Sequence, residues 1–225
     1  MNPTLILALA ASLALAADSP TESLWWVFLN RGPNRNQAEA ELKTMQQEHL
    51  ANLERLWKEG KSPLAGPLGD DGATRGIVVV RAPSREAVTA CFAPDPFVRV
   101  GRLTVEAYPW SGRAESLGAA KEPVKLVQAT LVIVKKGPRW TADAPDLAAA
   151  HAAHLRRLDA EGAVALSGAL TDGGDKLEVL MLRTADAKEA ESSLAADPAV
   201  RAQHLALELH PQYLADGILG EAPRP

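Results

Sequence analysis

One block of the chain occurs twice, and this repeat constrains the fold more than any other feature. A shift of 102 positions places His49 on His151 and Asp95 on Asp197, since 151 − 49 and 197 − 95 both equal 102. Without a gap, 21 of the 61 columns that begin at residue 49 and end at residue 109 are identical. A repeat of this length predicts two similar units, and the units share a His and an Asp-Pro pair as well as apolar positions.

Each unit shows the pattern β-α-β-β-α-β. In the first unit we predict strands at 24–29, 62–68, 76–80 and 103–108, with helices at 37–59 and 84–93. In the second unit we predict strands at 126–134, 164–170, 177–183 and 204–210, a helix at 146–161 and another that begins at Asp186. This order is typical of the ferredoxin-like α+β fold, whose helices cover one face of the sheet.

Two such units in one chain can cover each other's open sheet face. We therefore expect an α+β protein of two ferredoxin-like βαββαβ lobes, packed sheet to sheet as an intrachain pseudo-dimer. The alternative is two separate lobes that each pair with another chain, so both a monomeric pseudo-dimer and a homo-oligomer remain open. The predicted boundaries are 24–110 for lobe 1, 111–123 for a linker, 125–213 for lobe 2 and 214–225 for a tail.

The first 17 residues differ in kind from the rest. An apolar run from Leu5 to Ala17 ends in Ala14-Leu15-Ala16, a small-x-small pattern typical of signal-peptide cleavage. The run is too short for a comfortable membrane span. We predict a signal peptide at 1–17, a periplasmic or secreted protein, and no stable span after processing. An uncleaved anchor or a misplaced start remain alternatives.

Charge and cysteine content narrow the classes of partner. The formal net charge is −4 and no run of Lys or Arg occurs, so nothing favours binding to nucleic acid. Cys91 is the only cysteine, which excludes an intrachain disulfide and a cysteine-based metal site. His151 and His154 have a spacing that can hold a metal, but Asn52 replaces the second His in lobe 1. We predict neither a metal nor a cofactor.

Several short motifs of lobe 1 together resemble one known family. They are His49-Leu50-x-x-Leu53-x-x-Leu56-x-x-x-Gly60, Leu64-Ala65-Gly66-Pro67-Leu68, Asp95-Pro96-Phe97-Val98, Gly101 and Pro109-Trp110. This set resembles the YCII-related family of the dimeric α+β barrel class, closely over 24–110 and more loosely over 125–213. The resemblance implies a ferredoxin-like barrel and a candidate active site formed by the helix His and the Asp of Asp-Pro. By position these are His49 with Asp95, and His151 with Asp197.

The chemistry of a His–Asp pair suits proton transfer. Imidazole titrates near neutrality, and a carboxylate on its other nitrogen fixes the tautomer and stabilises the imidazolium. No Ser or Cys nucleophile recurs at matching positions, and some relatives resemble dehydrochlorinases or isomerases of hydroxylated aromatic compounds. The sequence therefore favours isomerisation of, or elimination from, a small hydroxy-aromatic or carboxylic acid.

Structural and non-catalytic alternatives stay open for the same residues. Asp-Pro also ends helices, its carboxylate can bond backbone N–H groups, and a buried His can be purely structural. The whole protein could instead be a non-catalytic module that binds a small ligand or another protein, or an assembly protein that oligomerises through its sheet.

Four further residues of lobe 1 are candidate substrate-binding residues. Gly66 and Pro67 suggest a tight bend beside the pocket, Arg99 a partner for a substrate carboxylate or a surface ion pair, and Trp110 an aromatic wall or a core residue. Lobe 2 departs from the motif at Ala169, Ala199, Gln203 and Gln212, so lobe 1 is the better candidate for activity. His204 and His210, with no evident partners, are expected on the exposed surface of the last strand.

Overall fold

The computed structural model describes residues 23–112 and 117–221, so the predicted signal peptide lies outside the described part. Lobe 1 contains β1 (Ser23–Arg31), α1 (Glu39–Lys58), β2 (Leu64–Pro67), β3 (Thr74–Ala82), α2 (Arg85–Phe92), α3 (Pro96–Arg99) and β4 (Leu103–Pro109). Lobe 2 contains β5 (Leu126–Lys136), α4 (Pro145–Ala160), β6 (Val164–Ala169), β7 (Lys176–Leu182), α5 (Ala187–Ala195), α6 (Pro198–Arg201) and β8 (Leu205–Ala215).

Both lobes form a four-stranded antiparallel sheet with the same strand order. That order is β2-β3-β1-β4 in lobe 1 and β6-β7-β5-β8 in lobe 2, which confirms the ferredoxin-like fold. The central strand β1 is buried on both faces, because alternate side chains point to opposite sides of a strand. Trp25 and Val27 pack under the helices, whereas Trp26 and Phe28 point the other way.

The second face of each sheet packs against the other lobe, as predicted. One hydrophobic core joins Trp26 and Phe28 of lobe 1 to Leu131 and Met181 of lobe 2. The sheet edges also meet, through a bridge between Leu68 and Gln212 and another between Trp110 and Leu170. These two bridges are related by the 102-residue shift, so a pseudo-two-fold axis relates the lobes and the two sheets close into one barrel.

The observed elements differ from the expected ones in two respects. Asp95 and Asp197 each begin a short helix, α3 and α6, with Pro at the first helical position, where its missing N–H costs nothing. Strand β8 continues to Ala215, and Ile218 beyond it is buried in the barrel core, so ordered structure extends past residue 213. Within the described residues, no helix is both long and apolar enough to cross a bilayer.

The predicted exposure of His204 and His210 was wrong. His204 immediately precedes β8, is buried, and stacks on Trp140 with ring centres 4.4 Å apart. His210 lies within β8 and is also buried; its Nδ1 is 2.6 Å from Oδ2 of Asp70 in lobe 1. Contacts between distant segments cover both rings, and strand periodicity alone gives no sign of such contacts.

Candidate active site

In lobe 1, the Asp95 carboxylate both caps a helix and bonds the candidate catalytic His49. Asp95 is the N-cap of α3, where its Oδ1 accepts a hydrogen bond from the backbone N–H of Phe97 at 3.0 Å. Its Oδ2 lies 2.6 Å from Nδ1 of His49 on α1. An ionised carboxylate only accepts hydrogen bonds, so Nδ1 of His49 carries the proton and Nε2 of the neutral ring keeps its lone pair.

The surrounding residues bury Asp95 and leave a small part of the His49 ring accessible to solvent. The Asp95 side chain is fully buried and that of His49 is 12% exposed. The Phe97 ring lies beside the imidazole, with ring centres 5.4 Å apart. Among the described residues, Nε2 of His49 has no hydrogen-bond partner, so the atom that would act as a base remains free.

Lobe 2 repeats the pair with one addition. Asp197 caps α6 by accepting from Ala199 N–H at 2.8 Å, and its Oδ2 lies 2.5 Å from Nδ1 of His151. In addition, Nε2 of His151 lies 3.3 Å from Oε2 of Glu178 on β7. Two carboxylates therefore flank one imidazole, and both ring nitrogens must carry protons to bond them.

The electrostatics of lobe 2 agree with this protonation. Burial alone would lower the pKa of His151, but the hydrogen bonds and charges of Asp197 and Glu178 outweigh burial and raise the pKa to about 9. For Asp197, burial acts to raise the pKa, while the bond from His151 and the backbone N–H of Ala199 lower it below its usual value. His151 is thus a cation at neutral pH and has no lone pair with which to act as a base.

The four residues predicted to bind substrate do not meet at His49. Gly66 faces lobe 2, where a Cβ would lie 2.0 Å from the carbonyl oxygen of Tyr213. Trp110 is buried in the barrel core against Trp26, at 5.3 Å between ring centres. The backbone N–H of Arg99 donates to the carbonyl oxygen of Asp95, but its exposed side chain makes no hydrogen bond or ion pair with the described residues. Gly66 is thus not a tight bend but a strand residue in contact with the other lobe.

Pro67 is the exception among these four. In β2 it pairs with Gly76 of β3, and the alternation of the strand places both on the face that carries α1. Ala65, two residues earlier, packs in the helix-side core together with Phe97. Pro67 therefore shares with His49 the helix-covered side of the lobe 1 sheet.

His154 does not form a metal site with His151. Its Nε2–H donates to the carbonyl of Ser193 at 2.9 Å, and its Nδ1 faces Arg157 at 3.4 Å. Asn52, its counterpart in lobe 1, donates to the equivalent carbonyl of Cys91 at 3.3 Å. Both side chains tie the long helix to the next one, and no group of three or more potential ligand residues in the described chain could hold a metal.

The sequence analysis did not identify Glu178, whose counterpart 102 positions earlier is Gly76. Strand pairing confirms the equivalence, because Gly76 pairs with Leu29 and Pro67 while Glu178 pairs with Val134 and Ala169. The replacement of Gly by an acid in this column was visible in the repeat. Its importance was not, because only the fold brings β7 next to the His151 ring.

Comparisons with known proteins agree with the architecture. Residues 25–111 match the model of the YCII-related domain. A chlorite dismutase variant from Candidatus Nitrospira defluvii, in complex with cyanide, has a similar structure with 12% identity and a TM-score of 0.53, over 85% of this chain and 91% of that one. A heme-binding protein from Thermus thermophilus gives 12% identity and a TM-score of 0.54, over 86% and 91%.

At these identities the two structures establish similarity of fold only. A comparison with curated protein sequences found no match. The family match covers lobe 1, and the solved structures cover most of both lobes. Lobe 1 thus matches the YCII-related domain, and it is joined in one chain to a second ferredoxin-like lobe in an architecture similar to that of dimeric α+β barrel proteins.

Proposed function

We propose that lobe 1 binds a small hydroxy-aromatic or carboxylic acid beside His49 and transfers a proton on it, as an isomerase or lyase does. The observation that carries this proposal is the oriented imidazole, with Nδ1 bonded to Asp95 at 2.6 Å and Nε2 free. A neutral imidazole held in one tautomer is a suitable general base near neutral pH.

The chemistry follows from the two side chains. Nε2 of His49 accepts a proton from a C–H or O–H group of the substrate, and the buried Asp95 carboxylate stabilises the imidazolium that forms. His49 then returns the proton to a different atom in an isomerisation, or to the departing group in an elimination. The Phe97 ring offers an apolar surface beside the reacting atoms.

The dimensions of the site favour a small ligand. Four surface clefts of about 380 to 480 Å³ occur in the described part of the chain, and none of them is lined by His49. A ligand would reach Nε2 through the 12% of the His49 side chain that is exposed. A small acid head group fits such an opening better than a large cofactor.

Heme binding is not part of this proposal. Heme iron in proteins is held by His, Cys, Met or Tyr. None of these side chains lines the four clefts. At 12% identity, the likeness to a heme-binding protein supports the barrel architecture alone.

A ligand screen with matched variants tests the proposal. Small hydroxy-aromatic and carboxylic acids are added to the full chain, and binding is followed by thermal shift and by the NMR signals of the His rings. We expect binding to be lost in His49→Gln and kept in His151→Gln, the equivalent change in lobe 2. Binding that survives His49→Gln would contradict the proposed site.

A second measurement separates catalysis from binding alone. For each acid that binds, hydrogen–deuterium exchange at carbon is followed in D₂O with wild type and with Asp95→Asn. Exchange that requires His49 and Asp95 supports proton transfer. Binding without exchange supports the alternative function, a non-catalytic ligand-binding or interaction module, which the small opening at His49 also accommodates.

We also propose that the protein is exported, by cleavage after the apolar run that ends in Ala14-Leu15-Ala16. The support is the sequence pattern alone. Expression of the full chain, fractionation of the cells and sequencing of the mature N-terminus test this proposal. A protein that retains residues 1–17 in the cytoplasm would contradict it.

A further inference from the structure

We infer that Glu178 occupies in lobe 2 the place that a ligand carboxylate takes in lobe 1, so that lobe 1 selects carboxylic acids while lobe 2 is closed by its own side chain. The inference rests on the proposed function, because it takes the free Nε2 of His49 as a ligand site. It narrows the ligand class from acids in general to carboxylates.

Equivalent positions in the two lobes carry different groups next to the His ring. Glu178 and Gly76 occupy the same place in their sheets, and His151 and His49 the same place on their helices. In lobe 2 the Glu178 carboxylate fills the position next to Nε2 at 3.3 Å. In lobe 1 the three heavy atoms nearest to a Cβ built on Gly76 all belong to the backbone of β2, at 2.9 to 3.7 Å. No described side chain of lobe 1 supplies the missing acceptor.

Several arginine side chains give this part of lobe 1 a positive charge. Arg35 is exposed, and its pKa is lowered by slight desolvation and by the charges of three other guanidinium groups, each of which repels it. The other three are Arg31, Arg75 and Arg102. Arg102 also lies over the Phe97 ring, at 5.8 Å from its centre, and Phe97 in turn contacts His49.

Lobe 2 lacks this positive cluster. The backbone hydrogen bonds of Gly32 and Asn34 recur at Gly137 and Arg139, which fixes the alignment of the connection before the long helix. The counterparts of Arg31, Arg35, Arg75 and Arg102 are Lys136, Trp140, Leu177 and His204. The lobe that has its own carboxylate thus lacks guanidinium groups at these positions, and the lobe without it has four. Arg75 lies 3.7 Å from the exposed carboxylate of Asp71, and its charge also helps to lower the pKa of Asp70. The other three guanidinium groups form no ion pair with a described carboxylate.

A further argument concerns hydrogen bonding. In lobe 2 the imidazolium donates from Nδ1 to Asp197 and from Nε2 to Glu178, and these charge-assisted bonds hold the proton on the ring. When a carboxylic acid gives its proton to Nε2 of His49, the resulting carboxylate and Asp95 flank the imidazolium in the same arrangement, and the ring holds the proton that it can return. A neutral phenol in the same place supplies no charge to pair with an imidazolium or with the arginines.

Acetate is the probe for this inference, because Glu178→Ala removes the equivalent of one acetate group and leaves the Cβ. NMR titration of the His rings is carried out on wild type and on Glu178→Ala. In the variant we expect the His151 titration midpoint to fall by about one pH unit or more, and added acetate to raise it again. In wild type, acetate is expected to shift the His49 ring signals and leave those of His151 unchanged.

Acetamide and Glu178→Gln serve as controls. Acetamide has the shape of acetate without its charge, and we expect no effect from it. Glu178→Gln keeps the position filled, so acetate should not restore the His151 midpoint there. The reverse change Gly76→Glu is avoided, because its Cβ would lie 2.9 Å from the Gly66 carbonyl oxygen.

The outcomes separate this inference from the proposed function. Failure of acetate to restore His151 in Glu178→Ala, or to shift His49 in wild type, overturns the inference, as does an equal effect of acetamide. If phenols shift the His49 signals while acetate does not, the inference fails and the proposed function stands. If no acid or phenol perturbs His49 while acetate still restores His151, the ligand site of lobe 1 is rejected, and the inference fails with the proposed function.

Discussion

The two lobes share a fold and a His–Asp pair, and they differ in what faces the second imidazole nitrogen. His49 leaves Nε2 free, whereas His151 is held between Asp197 and Glu178. The same pair is therefore a potential base in lobe 1 and a buried cation in lobe 2. A motif that recurs in a duplicated chain therefore shows a structural feature common to both lobes. Its reactivity depends on the residues around it, here on whether a carboxylate faces Nε2 of the His.

The largest expected effect tests what the lobes have in common. Asp95→Ala and Asp197→Ala each remove a helix cap and the partner of an imidazole, so each should lower the free energy of unfolding by about 4 kcal/mol. Urea unfolding of the full chain measures the loss. The Asn variants are the controls, and they should cost less because Asn caps a helix about as well as Asp. If either Ala variant has the same free energy of unfolding as wild type, Asp95 and Asp197 do not have equivalent roles.

The second-largest effect is expected in the pH dependence of stability, to which His151 of lobe 2 contributes. His151, which faces Asp197 and Glu178 with His154 nearby, has a folded-state pKa of about 9, above the usual value of 6.5. Its contribution to stability is therefore fully present below pH 6.5 and is lost as the pH rises through about 9. A shift of this size corresponds to about 3 kcal/mol.

Urea unfolding at a series of pH values, on wild type and on His151→Gln, isolates this contribution. The stability difference between the two chains should shrink between neutral pH and pH 9 to 10. A constant difference over that range would show that His151 is not held as a cation, and the contrast between the lobes would fail.

The two edge contacts between the lobes, here called seams, provide a third test; Leu68 and Gln212 form one, and Trp110 and Leu170 the other. Gly66→Ala places a Cβ 2.0 Å from the Tyr213 carbonyl oxygen, and the equivalent Gly168→Ala places one 2.3 Å from Nε1 of Trp110. Overpacking should cost about 2 kcal/mol at Gly66 and somewhat less at Gly168, where the nearest atom belongs to a side chain. Thermal unfolding measures both, with the exposed Ser167→Ala as control. Equal stability of Gly66→Ala and wild type would contradict the tight seam.

The smallest effect is expected at a polar contact that occurs at one seam only. His210 bonds Asp70 of lobe 1 at 2.6 Å, whereas the counterpart of His210 in lobe 1 is Tyr108, which bonds Glu106. Because the Asp70 side chain is 32% exposed, Asp70→Asn should cost only about 1 kcal/mol. Asp71→Asn, fully exposed, is the matched control, and a loss as large as at Asp95 would show that the contact matters more than its exposure suggests.

The sequence predicted the fold because its signals are local and occur twice. Alternating and continuous apolar runs predicted the strands, Gly60 and Gly162 ended the long helices, and the repeat implied that two sheets cover each other. The resemblance to the YCII-related family implied that His49 and Asp95 form one site, and Nδ1 of His49 lies 2.6 Å from Oδ2 of Asp95. Leu50 and Trp57 of α1 are apolar yet more than half exposed, so the apolar residues of the long helix do not all face the core.

The sequence by itself determined the duplicated architecture, because helix and strand periods and an in-register repeat can be recognised along the chain without its fold. The two His–Asp pairs were implied by the family resemblance. Only the tertiary structure decided that Glu178 reaches His151, that His210 pairs with Asp70, and that Gly66 and Trp110 belong to the contact between lobes rather than to the site. Each of these depends on segments 27 to 147 residues apart being brought together by sheet pairing or barrel closure. Distances across a barrel are set by packing of both sheets at once, and no pattern within one strand encodes them.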